Sequence, residues 1–334
     1  MIDNYVQIKF KHEIVMNEKK EKKVITVAVI TYNSALTVLE TLNSIITQTY
    51  GPENIELIIS DDCSKDTTIQ VIEEWLAKNS SFFKSVSFFA NTKNVGISKN
   101  CNVAWKAATS EWIKTIAGDD ILLPSCLMDN NEYVSALKED NVAVLFSKIQ
   151  SFRVKENGSK EYLNLLPMLK TKCFFNLTPL EQFEYLQRQE FSCTPSSFIN
   201  RVKLESIGFA DERFSMIEDF PLWFKLTQSG FKLSFFDKVT VLYRVGNSIS
   251  HSTSGLVNTR FINEIMVVER LLVLPTLKSH QKILKLRKFW WPVLVIKVAG
   301  LLNNKKNIFN KLLLSMVFII KPGYLSAQFH KILK

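Results

Sequence analysis

The sequence has few cysteines, and no two of them lie close together. The five cysteines, at positions 63, 101, 126, 173 and 193, include no CxxC pair. Zinc cages and disulfide-stapled secreted domains both depend on closely spaced cysteines. Both classes are therefore disfavoured, and the cysteine content fits a reducing compartment.

Glycine and proline are also scarce, with 10 and 9 copies in 334 residues. Hydrophobic residues make up 46% and charged residues 22% of the chain. This composition excludes collagen-like, low-complexity and wholly disordered proteins. A chain of this length can bury a substantial core, either as one large domain or as two smaller ones.

No uninterrupted apolar run is long enough to span a bilayer. The run at 289–302 is broken by Pro292 and Lys297, and the run at 312–320 falls well short of the roughly 20 residues that a spanning helix needs. Residues 1–23 are polar, have no apolar core of signal-peptide length, and are predicted to form a flexible N-terminal arm. The sequence therefore predicts no transmembrane helix and shows no obvious export signal.

Negative charge is nearly absent from the last quarter of the chain. Residues 256–334 contain 14 Lys and Arg but only Glu264 and Glu269, so this region carries +12 within a total net charge of +10. Its lysines are interspersed with Trp, Leu, Ile and Phe, which is typical of amphipathic helices at a membrane surface. We predict a basic, helical, membrane-associating region; an ordinary helical subdomain is the main alternative, and nucleic-acid binding is disfavoured.

From Val24 onward, short apolar runs alternate with amphipathic stretches. The apolar runs at 24–30, 55–60, 85–90 and 111–117 are predicted strands, and helical patterns separate them. Strands separated by helices pair in parallel through right-handed crossovers. The sequence thus predicts an α/β fold with a doubly wound, mainly parallel sheet and flanking helices.

The periodicity is less regular in the second half of the folded domain. Pro124 is predicted to begin a helix, residues 142–147 to form a strand, and residues 150–175 to form an irregular, partly β excursion. The remaining predicted elements are a helix at 178–189, a strand at 196–200, a helix at 218–229, and strands at 231–236 and 239–244.

Polar residues follow each of the four predicted parallel strands. Asn33 follows the first strand, Asp61 and Asp62 the second, residues 91–94 the third, and residues 118–120 the fourth. The carboxyl ends of parallel strands lie along one edge of the sheet, where ligands bind in α/β proteins. The sequence therefore predicts a ligand site at this edge.

The Gly118-Asp119-Asp120 triplet brings two acids to the predicted site. Their mutual repulsion favours a positive partner, and oxygen ligands favour Mg²⁺ or Mn²⁺. A turn in which the aspartates cap the next helix is the alternative interpretation. The nearby pair Asp61-Asp62 makes a metal site the stronger hypothesis.

The segments VAVITYNS, LIISDDCS, NVGISKN and IKTIAGDD occur in this order within residues 24–124. In sequence and spacing they resemble the nucleotide-binding half of glycosyltransferase family 2, whose members are inverting enzymes with a GT-A fold that use nucleotide sugars. The resemblance implies a glycosyltransferase domain at 24–255, with a nucleotide-sugar half at 24–124 and an acceptor half at 125–255. The residues that it implies at the nucleotide are Thr31, Tyr32, Asn33, Asp61, Asp62, Asn94, Gly96, Lys99 and Asn100.

The GDD triplet corresponds to the family's DXD element, which holds the metal on the diphosphate. Family members often have Asp-x-Asp-Asp there, and Ala117 occupies the first of those positions. The resemblance therefore implies metal binding by Asp119 and Asp120, with Mg²⁺ or Mn²⁺, and leaves ribose binding to Asp62.

Glu218 and Asp219 form a second acidic pair. Taken alone, they fit a helix N-terminus, where the helix dipole favours acids. The surrounding stretch, PSSFINRVKLESIGFADERFSMIEDFPLWFKLTQSG, resembles the acceptor half of the same family. The resemblance implies that Asp219 is the catalytic base and that Glu218 orients it or an acceptor hydroxyl.

The segment YRVGNSISHS resembles the family's loop after the last strand, where a basic residue approaches the pyrophosphate. Arg244 fits that role. Gly246 occupies the position where a histidine is common in the family. His251 is therefore a candidate metal ligand, although it could also be an ordinary loop histidine.

Together with these residues, the resemblance implies an inverting transferase that moves one hexose or N-acetylhexosamine from a nucleotide sugar to a hydroxyl of a lipid-linked glycan. We expect the nucleotide sugar to be UDP-linked. The family habit and the basic tail point to O-antigen or capsular polysaccharide assembly at the cytoplasmic face of the membrane. A nucleotide-binding, membrane-attached partner protein without catalysis is one alternative. A sugar nucleotidyltransferase is another, although TYNSALTVLE lacks the Gly-rich, basic loop of that class.

Overall fold

A computed structural model of the chain describes residues 5–10, 22–167, 169–189, 193–246 and 255–320. The chain divides into two compact units, residues 1–246 and 247–334. The predicted boundary, at 255/256, lies nine residues further along the chain.

Within the described residues, the first unit contains ten strands that form one sheet. Their bounds are β1 (Tyr5–Phe10), β2 (Ile25–Thr31), β3 (Ile55–Asp61), β4 (Ser85–Asn91), β5 (Trp112–Ala117), β6 (Ile121–Leu122), β7 (Val142–Val154), β8 (Lys160–Leu166), β9 (Phe198–Asn200) and β10 (Lys232–Arg244). The strand order is β1-β4-β3-β2-β5-β9-β7-β10-β6, and β8 pairs with β7.

Helices flank this sheet. Their bounds are α1 (Val38–Ile46), α2 (Thr68–Asn79), α3 (Ile97–Ala107), α4 (Cys126–Ala136), α5 (Leu169–Phe175), α6 (Pro179–Leu186), α7 (Arg201–Ser206) and α8 (Asp219–Gln228). A short 3₁₀ turn at Thr194–Ser196 precedes β9.

The strands β4, β3, β2 and β5 pair in parallel, as the alternation of apolar runs and helices predicts. The connecting segments contain α1, α2 and α3. Every residue of β2 and β3 is buried, because a parallel strand in the middle of a sheet is covered on both faces. The α/β expectation is therefore confirmed for this half of the domain.

The rest of the sheet is mixed, so the expectation of a mainly parallel sheet is only partly correct. β9 runs antiparallel to both β5 and β7, β6 runs antiparallel to β10, and only β7 and β10 pair in parallel among the described strands of this half. β7 also turns directly into β8, and a tight connection of this kind can join only antiparallel strands. Residues 150–175, predicted as an irregular, partly β excursion, contain the end of β7, β8 and α5, so the β part of the prediction is correct and the helix was missed.

The prediction of a flexible arm at residues 1–23 is wrong for Tyr5–Phe10. These residues form β1, which pairs antiparallel with β4 from Tyr5 opposite Asn91 to Phe10 opposite Val86. Without β1, β4 would be an edge strand with unpaired backbone groups. The pairing satisfies those groups. In retrospect, Val6, Ile8 and Phe10 alternate with Gln7 and Lys9, which is the pattern of a half-buried strand, although the segment is flanked by charged residues.

The two strands predicted at 231–236 and 239–244 are one strand, β10. Its pairing with β7 shifts register between Phe236 and Val239. A β-bulge inserts extra residues without ending a strand. The polar Asp237 and Lys238 therefore mark a bulge instead of a loop.

The second unit is helical in its described part, as predicted. It contains α9 (Thr259–Val268), a π-helical segment (Glu269–Val273), α10 (Leu274–Thr276), α11 (Ser279–Leu286), α12 (Trp290–Leu301) and α13 (Ile308–Ile319). The Trp291 indole donates to the carbonyl of Val317 at 3.3 Å, which ties α12 to α13. Among the helices of the described residues, none combines the length and the apolar character needed to cross a membrane.

Candidate active site

The carboxyl ends of β2, β3 and β5 lie side by side. Thr31 stands opposite Asp61, and Ile30 stands opposite Ala117. The loops continue this ladder, because the Asp62 amide donates to the carbonyl of Thr31 and the Gly118 amide donates to the carbonyl of Ile30, each at 2.9 Å. The structure thus brings the two acidic loops of the sequence prediction to one rim.

Asp61 is fully buried at this rim, and its carboxylate accepts hydrogen bonds from neighbouring loop residues. The donors are the hydroxyl of Thr31 at 2.8 Å and the amide and hydroxyl of Ser64 at 2.8 and 2.6 Å. These bonds fix the turn after β3. Contact between Asp61 and a nucleotide remains a prediction.

Asp62 joins this turn to the start of α3. Its carboxylate accepts from the amides of Val95 at 2.7 Å and Gly96 at 2.9 Å. Burial raises the pKa of Asp62, and the two amide bonds oppose that rise. The loop that the resemblance places over the nucleotide is therefore anchored to the acidic turn.

Gly96 is required where the two halves of the domain meet. Its φ is +87°, and a Cβ at this position would lie 2.5 Å from the carbonyl oxygen of Ser215. The Ile97 amide donates to the same oxygen at 2.8 Å. Only glycine combines this backbone conformation with this close approach.

Among the other predicted nucleotide contacts, Asn100 is buried, and its side-chain amide forms hydrogen bonds with groups on β2, β3 and β4. It accepts from the Ser60 hydroxyl at 2.6 Å and the Asn91 amide at 3.0 Å, and donates to the Ser60 carbonyl at 3.1 Å. This position supports the rim from beneath. The exposed predicted contacts are Tyr32, Asn33, Asn94 and Lys99.

The Gly118-Asp119-Asp120 turn packs against α1. A Cβ on Gly118 would lie 2.7 Å from the Cγ2 of Thr31, so a side chain there would collide with β2. Two hydroxyls of the α1 region hold the turn. The Thr37 hydroxyl donates to the Gly118 carbonyl at 2.8 Å, and the Thr41 hydroxyl donates to the Asp120 carbonyl at 2.7 Å. The acids that follow the glycine are thereby fixed in place.

Asp119 and Asp120 have the character expected of cation ligands. Burial and the neighbouring Asp119 raise the pKa of Asp120 well above its usual range. Burial also raises the pKa of Asp119, which Arg244 opposes. A divalent cation would stabilise the ionised form of both carboxylates.

The donor set fits an ion that keeps other ligands. In the part of the chain that the structure describes, no cluster of three or more His, Cys, Asp or Glu side chains could hold a metal. Mg²⁺ and Mn²⁺ are commonly bound by one or two carboxylates, with water and phosphate oxygens completing the shell. The pair Asp119 and Asp120 therefore suits a cation that arrives with a diphosphate. His251, the third predicted ligand, lies outside the described residues.

Arg244 lies beside the acidic turn, as the resemblance implies. Its backbone amide donates to Asp120 Oδ1 and its Nε donates to the carbonyl of Asp119, each at 2.9 Å. The guanidinium also stacks over the Phe152 ring, 4.8 Å from the ring centroid. A fixed positive charge thus stands next to the predicted diphosphate position.

Glu40 and Lys160 complete this charged cluster and are absent from the sequence prediction. Glu40 forms ion pairs with Arg244 and, at 3.0 Å, with Lys160. Burial by itself raises the pKa of Glu40, but the two cations outweigh it, so the pKa is lowered. More than 100 residues separate Glu40 from either partner, so no local pattern could reveal the cluster.

The second acidic pair lies at the N-terminus of α8. Asp219 is the first residue of the helix, and its carboxylate accepts from the Thr194 hydroxyl at 2.7 Å and from the Phe220 amide at 2.6 Å. Burial and the Asp219 carboxylate raise the pKa of Glu218 to about 8. At neutral pH Glu218 is therefore mainly protonated, beside an Asp219 that accepts two hydrogen bonds.

The segment that leads into the acidic pair contacts the start of α3, because the Ile97 amide donates to the Ser215 carbonyl at 2.8 Å. Cys101 is buried in α3, and its thiol pKa is raised well above the usual value by burial, then by Glu218, Asp219 and Asp62. Carboxylates from both halves of the domain therefore act on the same thiol in α3.

The Glu218 pKa predicts a pH dependence of stability. The free energy of unfolding should fall as pH rises from about 4.5 to about 8, because in that window the unfolded chain releases the Glu218 proton and the folded chain keeps it. Glu218→Gln should remove this loss, so the variant should gain stability relative to the original protein across the window. Denaturant titrations at pH 5 and pH 8 measure the free energy of unfolding of both proteins. If the variant differs from the original protein by the same amount at both pH values, the raised pKa of Glu218 is contradicted.

The family model described as "Glycosyl transferase family 2" matches residues 26–208, which is more than half of the chain. Poly(ribitol-phosphate) beta-N-acetylglucosaminyltransferase TarS of Staphylococcus aureus is 27% identical over 154 residues, 46% of this chain and 26% of that protein. The chain thus spans about a quarter of the length of that relative. UDP-Glc:alpha-D-GlcNAc-diphosphoundecaprenol beta-1,3-glucosyltransferase WfaP of Escherichia coli is 23% identical over 262 residues, 78% of this chain and 90% of that protein.

Solved glycosyltransferase structures share the fold. S. aureus TarS 1–349 in complex with UDP-GlcNAc has a TM-score of 0.56 at 22% identity, covering 78% of this chain and 69% of that one. The mannosyltransferase PcManGT from Pyrobaculum calidifontis, in complex with GDP-Man and Mn²⁺, has a TM-score of 0.52 at 16% identity, covering 92% and 73%. At these identities the likeness concerns the fold alone.

Proposed function

We propose that this chain, which belongs to glycosyl transferase family 2, is an inverting transferase of one hexose or N-acetylhexosamine from a nucleotide sugar to a glycan hydroxyl. The observation that carries the proposal is the presence of two distinct acidic sites in one domain. Asp119 and Asp120 lie beside Arg244 at the sheet rim, and Asp219 begins α8 with its carboxylate held by two donors. Displacement at an anomeric carbon requires both a charge-stabilised leaving group and a base.

Asp119 and Asp120 would hold the cation, Mg²⁺ or Mn²⁺. When bound, the ion offsets the negative charge of the departing nucleoside diphosphate. Arg244 adds a fixed positive charge whose position is set by Phe152 and by the carbonyl of Asp119. Because the turn rests on α1 through Thr37 and Thr41, the site is organised before the donor binds.

Asp219 acts as the base. The acceptor oxygen forms a bond to the anomeric carbon, the bond from that carbon to the diphosphate oxygen breaks, and the hydroxyl proton moves to the Asp219 carboxylate. One displacement inverts the anomeric configuration. Glu218 is mainly protonated at neutral pH and can donate a hydrogen bond to an acceptor oxygen.

The relatives support a UDP-linked donor and a surface-glycan acceptor. A neighbouring solved structure binds UDP-GlcNAc, and the name of the E. coli relative specifies UDP-Glc and a diphosphoundecaprenol acceptor. We infer a lipid-linked oligosaccharide as the acceptor in polysaccharide assembly of the O-antigen or capsular type. The reaction would then take place at the cytoplasmic face of the membrane.

A donor screen tests the proposed function. UDP-, GDP- and dTDP-sugars are compared by thermal shift and by donor hydrolysis, each with and without Mn²⁺. A ligand that binds the folded state raises the melting temperature, so a UDP-sugar with Mn²⁺ should give the largest shift. Stabilisation without turnover of donor and acceptor would favour the non-catalytic partner protein. Release of pyrophosphate from a nucleoside triphosphate and a sugar phosphate would favour the nucleotidyltransferase.

The second unit supports a membrane-surface location. On α13, Ile308, Leu312 and Met316 follow one another at four-residue spacing and are 80%, 60% and 62% exposed. Phe309 on the same helix is 68% exposed, and Lys311 is also exposed. Exposed apolar side chains next to lysines favour insertion into the headgroup region of an anionic bilayer. We propose that α13 is a peripheral membrane contact.

Vesicle sedimentation tests this location. The variant L312E/M316E should bind phosphatidylglycerol vesicles at least about tenfold more weakly, since it removes two apolar side chains and adds two negative charges. Leu180→Glu is the matched control, because Leu180 is 66% exposed in the first unit. Equal vesicle binding by the α13 variant and the control would exclude α13 as the contact.

A further inference from the structure

A buried lysine lies in the middle of the sheet without a carboxylate as its hydrogen-bond partner. Lys114 is on β5, is fully buried, and donates from Nζ to three carbonyl oxygens. The acceptors are Pro195 at 2.7 Å, Thr115 at 2.9 Å and Ser197 at 3.2 Å. All three ammonium protons therefore have partners, and two of them hold the 3₁₀ turn at Thr194–Ser196.

Burial on this scale is costly for an amine. It lowers the pKa of Lys114 to about 8, so the side chain is still mainly charged at neutral pH. An apolar side chain would occupy the same place in a sheet without this cost. The lysine therefore contributes something that packing alone does not, and its hydrogen bonds indicate that this is the conformation of the turn.

The same turn carries the residue that contacts Asp219. Thr194 donates from its hydroxyl to Asp219 Oδ2 at 2.7 Å. Its carbonyl accepts from the Ser197 amide at 2.9 Å, which closes the turn. The turn is also held from the other side, because the Ser147 amide on β7 donates to the Ser196 hydroxyl at 3.2 Å.

We propose that Lys114 and Thr194 are positioning residues for the base: Lys114 fixes the 194–197 turn, and the Thr194 hydroxyl aims the Asp219 carboxylate at the acceptor. The inference rests on the proposed function, because it takes Asp219 as the base. If the Phe220 amide were the sole donor to the Asp219 carboxylate, at Oδ1, the carboxylate could still rotate about its side-chain bonds. The second bond, from Thr194 to Oδ2, removes that freedom, and a misplaced base costs rate without weakening donor binding.

β5 links the two acidic sites along one strand. It ends at Ala117, directly before the acidic turn, while Lys114 on the same strand holds the turn that contacts Asp219. The strand therefore sets the positions of the predicted metal ligands and of the base together. This arrangement suits a reaction in which leaving group and base must be aligned on opposite sides of one carbon atom.

The experiment compares Thr194→Val, which removes the hydroxyl at nearly constant shape, with Thr194→Ser, which keeps it. Thr194→Val should lower kcat by about 10- to 100-fold with an unchanged KM for the donor, and Thr194→Ser should restore most of the rate. Thr227→Val is the matched control, because the buried Thr227 hydroxyl of α8 bonds only backbone carbonyls. It should leave kcat within about twofold, as expected for a buried hydroxyl without a part in the site.

Lys114→Met extends the test to the lysine. It should lower kcat in the same way, and the double variant K114M/T194V should lose less than the product of the two single losses, since both act through one turn. If Lys114→Met does not fold, the two Thr194 variants decide the inference alone. Full kcat in Thr194→Val, or equal losses in Thr194→Val and Thr194→Ser, would overturn it.

Asp219→Asn separates this inference from the proposed function. Loss of transfer in Asp219→Asn with full activity in Thr194→Val would overturn the positioning role alone. Unchanged transfer in Asp219→Asn would overturn both assignments, because there would then be no base at that position to orient.

Discussion

Asp219→Asn is expected to lower kcat by about 10²- to 10⁴-fold, the range that a positioned general base contributes. The amide has the same shape as the carboxylate, and its oxygen can still accept from Thr194 or from the Phe220 amide. It cannot take a proton from the acceptor hydroxyl. Donor binding should therefore persist, and steady-state kinetics with a thermal-shift titration of the UDP-sugar measure the two effects separately.

Asp237→Asn provides the control for this loss. Asp237 is an exposed carboxylate in the bulge of β10 that pairs with Lys148 and Lys172. Surface ion pairs of this kind contribute little, so its removal should leave kcat and the melting temperature nearly unchanged. Turnover by Asp219→Asn at the rate of the Asp237→Asn control would mean that the base lies elsewhere.

Asp119→Asn is expected to abolish the metal dependence of donor binding and to lower kcat/KM by at least about a hundredfold. A divalent ion contributes several kcal/mol to the stabilisation of a departing diphosphate, and Asp119 is the less buried of the two predicted aspartate ligands. Titration of Mn²⁺ in the presence of a UDP-sugar, followed by steady-state assays, measures both effects. An unchanged Mn²⁺ requirement in this variant would show that Asp119 does not bind the metal.

Asp120→Asn is a less specific variant, because Asp120 is almost completely buried and accepts from the Arg244 amide. Removing the Asp120 carboxylate would disturb the fold of the rim as well as the binding of an ion. The raised pKa of both acids has a further effect. Protons and cations compete for the pair, so the affinity for Mn²⁺ should increase with pH.

The parallel half of the fold was predictable because its signals are local. Each strand from β2 to β5 is an apolar run of six or seven residues followed by polar residues, and parallel pairing then brings those polar residues to one edge. β1 was missed because the alternating run YVQIKF is only six residues long and is followed by a highly charged stretch, which favoured the prediction of a flexible arm. The two-residue β6 and the three-residue β9 are too short to produce a periodic signal.

The site was predictable to the extent that its residues lie in contiguous motifs. The family resemblance predicts the GDD turn, the acidic pair at α8 and Arg244 as site residues, and the structure places Arg244 beside the GDD turn. It gave no indication that Asn100 is enclosed beneath the rim, because burial depends on how α3 packs on the sheet. Lys114 and Thr194 were missed for a similar reason: their contacts form only when β9 pairs with β5.

The close approach at Gly96 also limits how this protein could be engineered. The segment that leads into α3 and the segment around Ser215 meet without room for one additional methyl group. Any replacement segment that brings a side chain to the Gly96 position would force the two apart. Loop exchange at this place will therefore require both segments to be transplanted as a matched set.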